Sequence, residues 1–225
     1  MDIESLPLPT GIPSSDLPKV SLLSPSSWMT FLEAMFDVST ADIVQRLVLA
    51  ITPYQLLKAE SNMILTRPDF YGPFWIATTA VIAMTSAANM AGYAFTDYSL
   101  LLTASWFMYG CICVIPLVAF LFAWFAKRQD PNSSTETGLT YAHLVCIYGY
   151  SNLSLIPVAV MCVVPIVIAQ NIALILGAVN SGLLIFASLW NHMPASQIRL
   201  VTVGSALACQ AATYLAFYYL FLARS

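Results

Sequence analysis

His143 and His192 are the only histidines in the 225-residue chain. Neither has a serine, cysteine or carboxylate at a spacing that builds a nucleophile–base pair or a His-Glu-x-x-His zinc helix. Each stands near the end of an apolar stretch and reads as an interfacial residue. The five cysteines, Cys111, Cys113, Cys146, Cys162 and Cys209, lie inside apolar stretches with no Cys-x-x-Cys spacing. An odd set of this kind argues against a disulfide framework or a zinc centre and for small, soft packing residues. No catalytic residue, metal ligand or cofactor is expected. The embedded polar side chains are amides, Asn89, Asn152, Gln170, Asn171, Asn180 and Gln210, each able to bond across helices for roughly 0.6 to 2 kcal/mol. A transporter would recruit them into a midplane site, with Pro116 and Pro157 as helix interruptions. Against that reading, no Asp, Glu, Lys or Arg is embedded with them to couple ions.

These groups must be positioned by elements that live in lipid. Residues of the AVILMFWYC set make up 59% of the chain and charged residues 8%, far below the roughly 25% charged of soluble domains. The few Lys and Arg cannot track a phosphate backbone, so nucleic acid is not an expected partner. From Phe74 onward five apolar blocks follow, 74–94, 100–126, 141–164, 166–190 and 200–223. Each reaches the roughly 20 residues that cross a 30 Å hydrocarbon core as a helix. The expected fold is an all-α integral membrane protein, a five-transmembrane-helix bundle with a tight turn near Pro165 between the third and fourth spans.

Seven basic residues, Lys19, Arg46, Lys58, Arg67, Lys127, Arg128 and Arg199, fall on one side of such a bundle and only Arg224 on the other. This bias predicts a cytosolic N-terminus and a lumenal C-terminus. The Asn132-Ser133-Ser134 sequon then lies in a cytosolic loop and carries no glycan. Ahead of the membrane domain (74–225), residues 1–27 are Pro/Ser-rich and predict a flexible cytosolic leader without a cleavable signal. Residues 28–73 predict two amphipathic helices and a collar. The first helix is patterned by Trp28, Phe31, Leu32, Met35 and Phe36. The second is capped by Ser39 or Thr40 and patterned by Ile43, Val44, Leu47, Val48 and Ile51.

Helices in lipid join by close packing, which small residues at four-residue spacing permit. Ala83, Ala87 and Ala91 form such a stripe in the first span, Ala173, Gly177 and Ser181 in the fourth, and Gly204, Ala208, Ala212 and Ala216 in the fifth. The most distinctive local segment is Pro68-Asp69-Phe70-Tyr71-Gly72-Pro73-Phe74-Trp75. Two prolines fix φ, Gly72 permits a tight turn, and the rings suit the water–lipid boundary, so the segment reads as a rigid collar on the first span.

At this collar the sequence resembles the YIP (Yip domain, YIPF) family of Rab-interacting membrane proteins. The family's Asp-Leu-Tyr-Gly-Pro-Phe-Trp signature stands here as Asp69-Phe70-Tyr71-Gly72-Pro73-Phe74-Trp75. Tyr148-Gly149-Tyr150-Ser151, followed by Pro157, is similar to the family's Tyr-Gly-Tyr-Ser element in span three. Phe36-Asp37-Val38-Ser39-Thr40 leading into Val44-Gln45-Arg46-Leu47 is similar to its pre-membrane region. The resemblance implies a multi-pass protein of Golgi membranes, with endoplasmic reticulum or endosomal membranes as further locations. It implies binding of prenylated Rab (Ypt) GTPases, association with other YIP-family proteins as homo- or hetero-oligomers, and a role in ER–Golgi vesicle transport or Golgi organisation. The expected docking face is the 28–51 pair with the collar, beside a groove for lipid. A small channel or transporter and an oligomeric membrane-shaping scaffold are the competing expectations.

Overall fold

The computed structural model describes Met29 and residues 36–55, 68–90, 98–129, 139–192 and 197–222. Met29 apart, these belong to one compact unit, Met35–Ser225. The leader, the first amphipathic helix apart from Met29 and Phe36, and the Asn132 sequon lie outside the described residues. Every regular element among the described residues is helical. Helix α1 (Thr40–Ile51) is capped by Ser39, whose side chain accepts the Asp42 N–H at 3.2 Å, and it ends at Thr52 before Pro53. Helices α2 (Tyr71–Met90) and α3 (Ser99–Gln129) follow, the latter with Pro116 inside it.

The third apolar block is not one uniform helix. It runs as α4 (Tyr141–Ser151), a 3₁₀ turn at Asn152–Ser154, and α5 (Leu155–Met161). Pro157 has no N–H to donate and crowds the carbonyl four residues back, and the tighter turn just ahead of it absorbs both defects. The reversal expected near Pro165 spans Cys162–Ile166, where the Ile166 N–H reaches the Val164 carbonyl at 2.8 Å. Gln170 closes this turn by donating to the carbonyls of Cys162 and Val164, at 3.2 and 3.0 Å. Helix α6 (Val167–His192) and helix α7 (Gln197–Phe217), which continues into a π-helical turn at Tyr218–Leu222, complete the bundle.

Among the described residues four helices are both long and apolar enough to cross a membrane: Ser99–Phe125, Tyr141–Met161, Val167–Trp190 and Arg199–Leu222. The expected first span is α2. At 20 residues it is about 30 Å long and it carries no charge. Its threonines, collar residues and Asn89 dilute its hydropathy, so of the five expected spans four stand out as clearly apolar among the described residues and α2 is the less apolar one. The α4–α5 span is 72% buried, against 28–39% for the other three, which makes it the axis of the bundle.

The small-residue stripes divide by helix face. A Cβ at Gly177 would stand 2.7 Å from Val158 Cγ2 and 3.3 Å from Tyr214 Cε1, so α5, α6 and α7 meet there. Ser181, also fully buried, accepts from Gln210 Nε2, which lies 3.4 Å from Asn152 Oδ1. Gly204, Ala208 and Ala212 instead lie on the exposed face of α7, and a Cβ at Gly204 would meet nothing within 4 Å. Gly177→Leu is therefore expected to destabilise the bundle by about 1–3 kcal/mol through overpacking. Gly204→Leu should leave the monomer unchanged in the same detergent melting experiment.

Candidate functional site

The collar and the Tyr-Gly-Tyr-Ser element, some eighty residues apart, form one site. Its centre is Asp69, 1% exposed. Asp69 Oδ1 accepts the Gly72 N–H at 2.8 Å, satisfying one of the donors that a helix N-terminus leaves orphaned. Pro73, the next residue, has no N–H to satisfy, so the sequence Asp-x-x-Gly-Pro starts α2 with little unmet hydrogen bonding. The other carboxylate oxygen, Oδ2, pairs with the guanidinium of Arg46, itself 3% exposed, on α1. It also accepts from Tyr150 Oη at 3.2 Å and from the Cys146 thiol at 3.7 Å. One carboxylate thus ties α1, the start of α2 and α4.

Glycines let these groups approach. A Cβ on Gly149 would lie 2.8 Å from Pro73 Cα, backbone against backbone. A Cβ on Gly72 would collide with the Tyr150 ring, 3.0 Å from Cε1 and closer still to the hydroxyl. Each glycine of one motif is therefore needed by the other motif's bulky residue. The rest of the span-three element works outward from this contact. Tyr148 Oη donates to the Ala206 carbonyl on α7 at 2.8 Å, and Ser151 Oγ donates to the Tyr148 carbonyl at 2.8 Å. Pro157 is exposed on α5 and lines a groove beside α6.

Of the seven collar residues, Asp69, Gly72 and Pro73 face inward. Tyr71, Phe74 and Trp75 face outward, with ring centroids 5.5 Å apart for Phe74–Trp75 and 6.2 Å for Tyr71–Trp75. Phe70, half-buried, joins Pro73 and Phe74 in lining an apolar pocket of about 270 Å³ closed by Tyr109 and Tyr141. A second groove of about 480 Å³ lies between α5 and α6, with Pro157, Met161, Leu176 and Gly177 on its walls and Ile51 at one end. Ser154 and Asn180 supply its polar lining, where Asn180 Nδ2 donates to Ser154 Oγ at 2.8 Å and to the Ala50 carbonyl of α1 at 3.0 Å.

His143 serves the N-terminus of α4, where its Nδ1 accepts the Thr140 N–H at 3.1 Å. The His192 side chain lies outside the described residues. By sequence alone Arg46 counts as an orientation charge on the helix expected to share a docking face with the collar and Cys146 as packing, and neither is paired with Asp69. The available signal is that Arg46 is the one charged residue in the run Ile43 to Ile51, which is apolar but for Arg46 and Gln45, close ahead of a collar that carries a lone acid.

The Yip1 domain family model matches residues 50–223, well over half of the chain. The chain belongs to the Yip1 domain family. It is similar to Protein YIPF1 homolog of Dictyostelium discoideum, 27% identical over 168 residues, covering 71% of this chain and 45% of that protein. It is also similar to Protein YIP5 of Schizosaccharomyces pombe, 30% identical over 134 residues, 55% of this chain and 49% of that protein. The chain spans about half the length of these curated relatives. No solved structure matches it. This Yip1-domain chain is thus a membrane protein of the YIP family, and no enzyme family is indicated.

For this Yip1-domain chain the buried ion pair sets a measurable coupling. Arg46→Met alone strands the Asp69 carboxylate and is expected to cost about 3–5 kcal/mol, whereas replacing both partners by apolar residues of similar volume is near neutral. A double-mutant cycle with Asp69→Leu, read by thermal melting in detergent, should therefore show the double variant more stable than either single one.

Proposed function

We propose that this chain is a Golgi-region membrane receptor that binds the prenylated C-terminus of a Rab-type GTPase and so supports vesicle-mediated transport between endoplasmic reticulum and Golgi. The observation that carries the reading is the groove of about 480 Å³ between α5 and α6, open at its side and walled almost entirely by apolar groups. Its volume lies within the 300–1,000 Å³ typical of sites for small organic ligands. Its lining suits a hydrocarbon chain and offers no charge. The family resemblance supplies the identity of the chain's owner. The N-terminus is cytosolic, as the six-to-one bias of the basic residues other than the buried Arg46 argues.

A prenyl group already partitions into lipid, at about 0.8 kcal/mol per buried CH₂. The groove therefore adds specificity by holding one isoprenoid face against Pro157 and Gly177, while the outward rings Tyr71, Phe74 and Trp75 of the collar meet the C-terminal segment that carries the prenyl group. Effective concentration then converts two weak contacts into one stable complex. Other YIP-family chains, as hetero-oligomer partners, have a separate surface in the Gly204, Ala208, Ala212 face of α7.

The transport reading keeps one observation in its favour, the break of the central span at Asn152–Ser154, where Gln210, Asn152 and Ser181 converge. Solute flux in proteoliposomes distinguishes it. For the receptor, prenylated GTPase should bind the purified chain in detergent at least an order of magnitude more tightly than unprenylated GTPase. Ala173→Phe, which fills the groove, should remove that preference without lowering the melting temperature. Equal binding of the two GTPase forms to the unaltered chain refutes the receptor.

A further inference from the structure

We infer that α1 is inserted into the bilayer beside the bundle, with its tip near mid-depth and its outer face, Val44, Val48 and Ile51, against lipid hydrocarbon. The inference is independent of the GTPase reading and reassigns a segment whose pattern suggested a cytosolic docking helix.

Depth is fixed by hydrogen bonds. The Ala50 carbonyl near the end of α1 accepts from Asn180, which lies near the midpoint of the 26-residue α6. The same amide reaches Ser154, in the 3₁₀ turn that interrupts the span Tyr141–Met161. A helix end at that level is separated from either aqueous phase by roughly half of a 30 Å hydrocarbon layer. Ile51, next in sequence to Ala50, lines the same groove between α5 and α6 that Ser154 and Asn180 line.

The free side of α1 is built for that medium. Val44, Val48 and Ile51, spaced i, i+4, i+7, are 55%, 48% and 63% exposed. They continue the apolar outer surface of α6, where Leu176, Val179 and Leu183 are also exposed. The charges are arranged to match. Asp42 sits in the first turn, and Arg46, the one other charge on α1, is turned inward to Asp69. Carbonyls that a helix end leaves without partners are costly in lipid. Here the Val48 carbonyl accepts from the Thr52 N–H at 2.9 Å and the Thr52 hydroxyl at 2.7 Å, while Asn180 takes Ala50. Water would satisfy these groups unaided; hydrocarbon does not.

The test places single cysteines at Thr40, Val48 and Ile51 of the full chain, reconstituted into phosphatidylcholine vesicles with no other protein. Each is treated with a membrane-impermeant polyethylene-glycol maleimide, and adducts beyond those of the parent chain's own cysteines are counted by gel shift. Thr40→Cys, at the start of α1, calibrates orientation. Val48→Cys and Ile51→Cys are expected to react more slowly than Thr40→Cys by at least an order of magnitude in intact vesicles, and equally fast after denaturation. Reaction of all three at one rate in intact vesicles overturns the inference. In native membranes a photoreactive diazirine side chain at Val48 should yield phospholipid adducts. A protein adduct in their place means that a partner protein, and not lipid, covers α1.

Discussion

Arg46 and Asp69 are almost wholly buried and stand on two different segments of a chain that otherwise keeps charge out of its apolar blocks. Withdrawing two such ions from water costs several kcal/mol each, and their attraction offsets this only where the remaining lone pairs and protons are also engaged. Asp69 meets that condition. Its two oxygens take the Arg46 guanidinium, the Gly72 N–H, the Tyr150 hydroxyl and the Cys146 thiol. The pair does more for arrangement than for net stability. A carboxylate with these four donors has one position, and so α1, the start of α2 and α4 have one mutual arrangement.

The close approach that makes this possible is steric before it is electrostatic. Without Gly149 the Pro73 ring could not reach α4, and without Gly72 the Tyr150 hydroxyl could not reach Asp69. In lipid, helices gain little from burying apolar surface against each other, because the surrounding tails are equally apolar. Contact must then come from fit and from hydrogen bonds. The collar supplies both at one point, and the amide cluster of Asn152, Ser181 and Gln210 does the same deeper in the bundle. The α4–α5 span carries residues of both clusters, which agrees with its being the most buried span.

The helical membrane fold was legible in the sequence because exclusion of charge from hydrocarbon writes itself as long uncharged runs. The turn at Pro165 and the helix cap at Ser39 or Thr40 follow from local chemistry, and the structure has the turn at Cys162–Ile166 and the cap at Ser39. The break at Asn152–Ser154 was readable only in part: Pro157 announced an interruption, but the turn that absorbs it lies upstream. The site was half legible. The collar and the Tyr-Gly-Tyr-Ser element each stood out, yet their contact is a tertiary fact with no local trace. Arg46 misled for a physical reason. A lone arginine beside a membrane domain is ordinarily a topology signal at the water boundary, and only its partner, Asp69, reveals that it has been drawn inward. The family-model match begins at residue 50, so the arginine lies just ahead of the segment that this match covers.

The amphipathic pattern of α1 shows why hydrophobic periodicity under-determines what a helix faces. The five apolar residues Ile43, Val44, Leu47, Val48 and Ile51 predict one buried stripe, yet Arg46 and Ala50 are the residues that α1 buries. In water that choice would be perverse, since it exposes three branched aliphatic side chains in order to sequester an ion. In a bilayer the preference inverts. Exposed aliphatics then face a medium as apolar as a protein core, and the ion is the group that must be sheltered, against a counter-charge. The same pattern can thus describe a helix lying on a soluble core or one standing in lipid beside a polar seam. Arg46 decides between them, because its side of the helix is the side that the bundle holds.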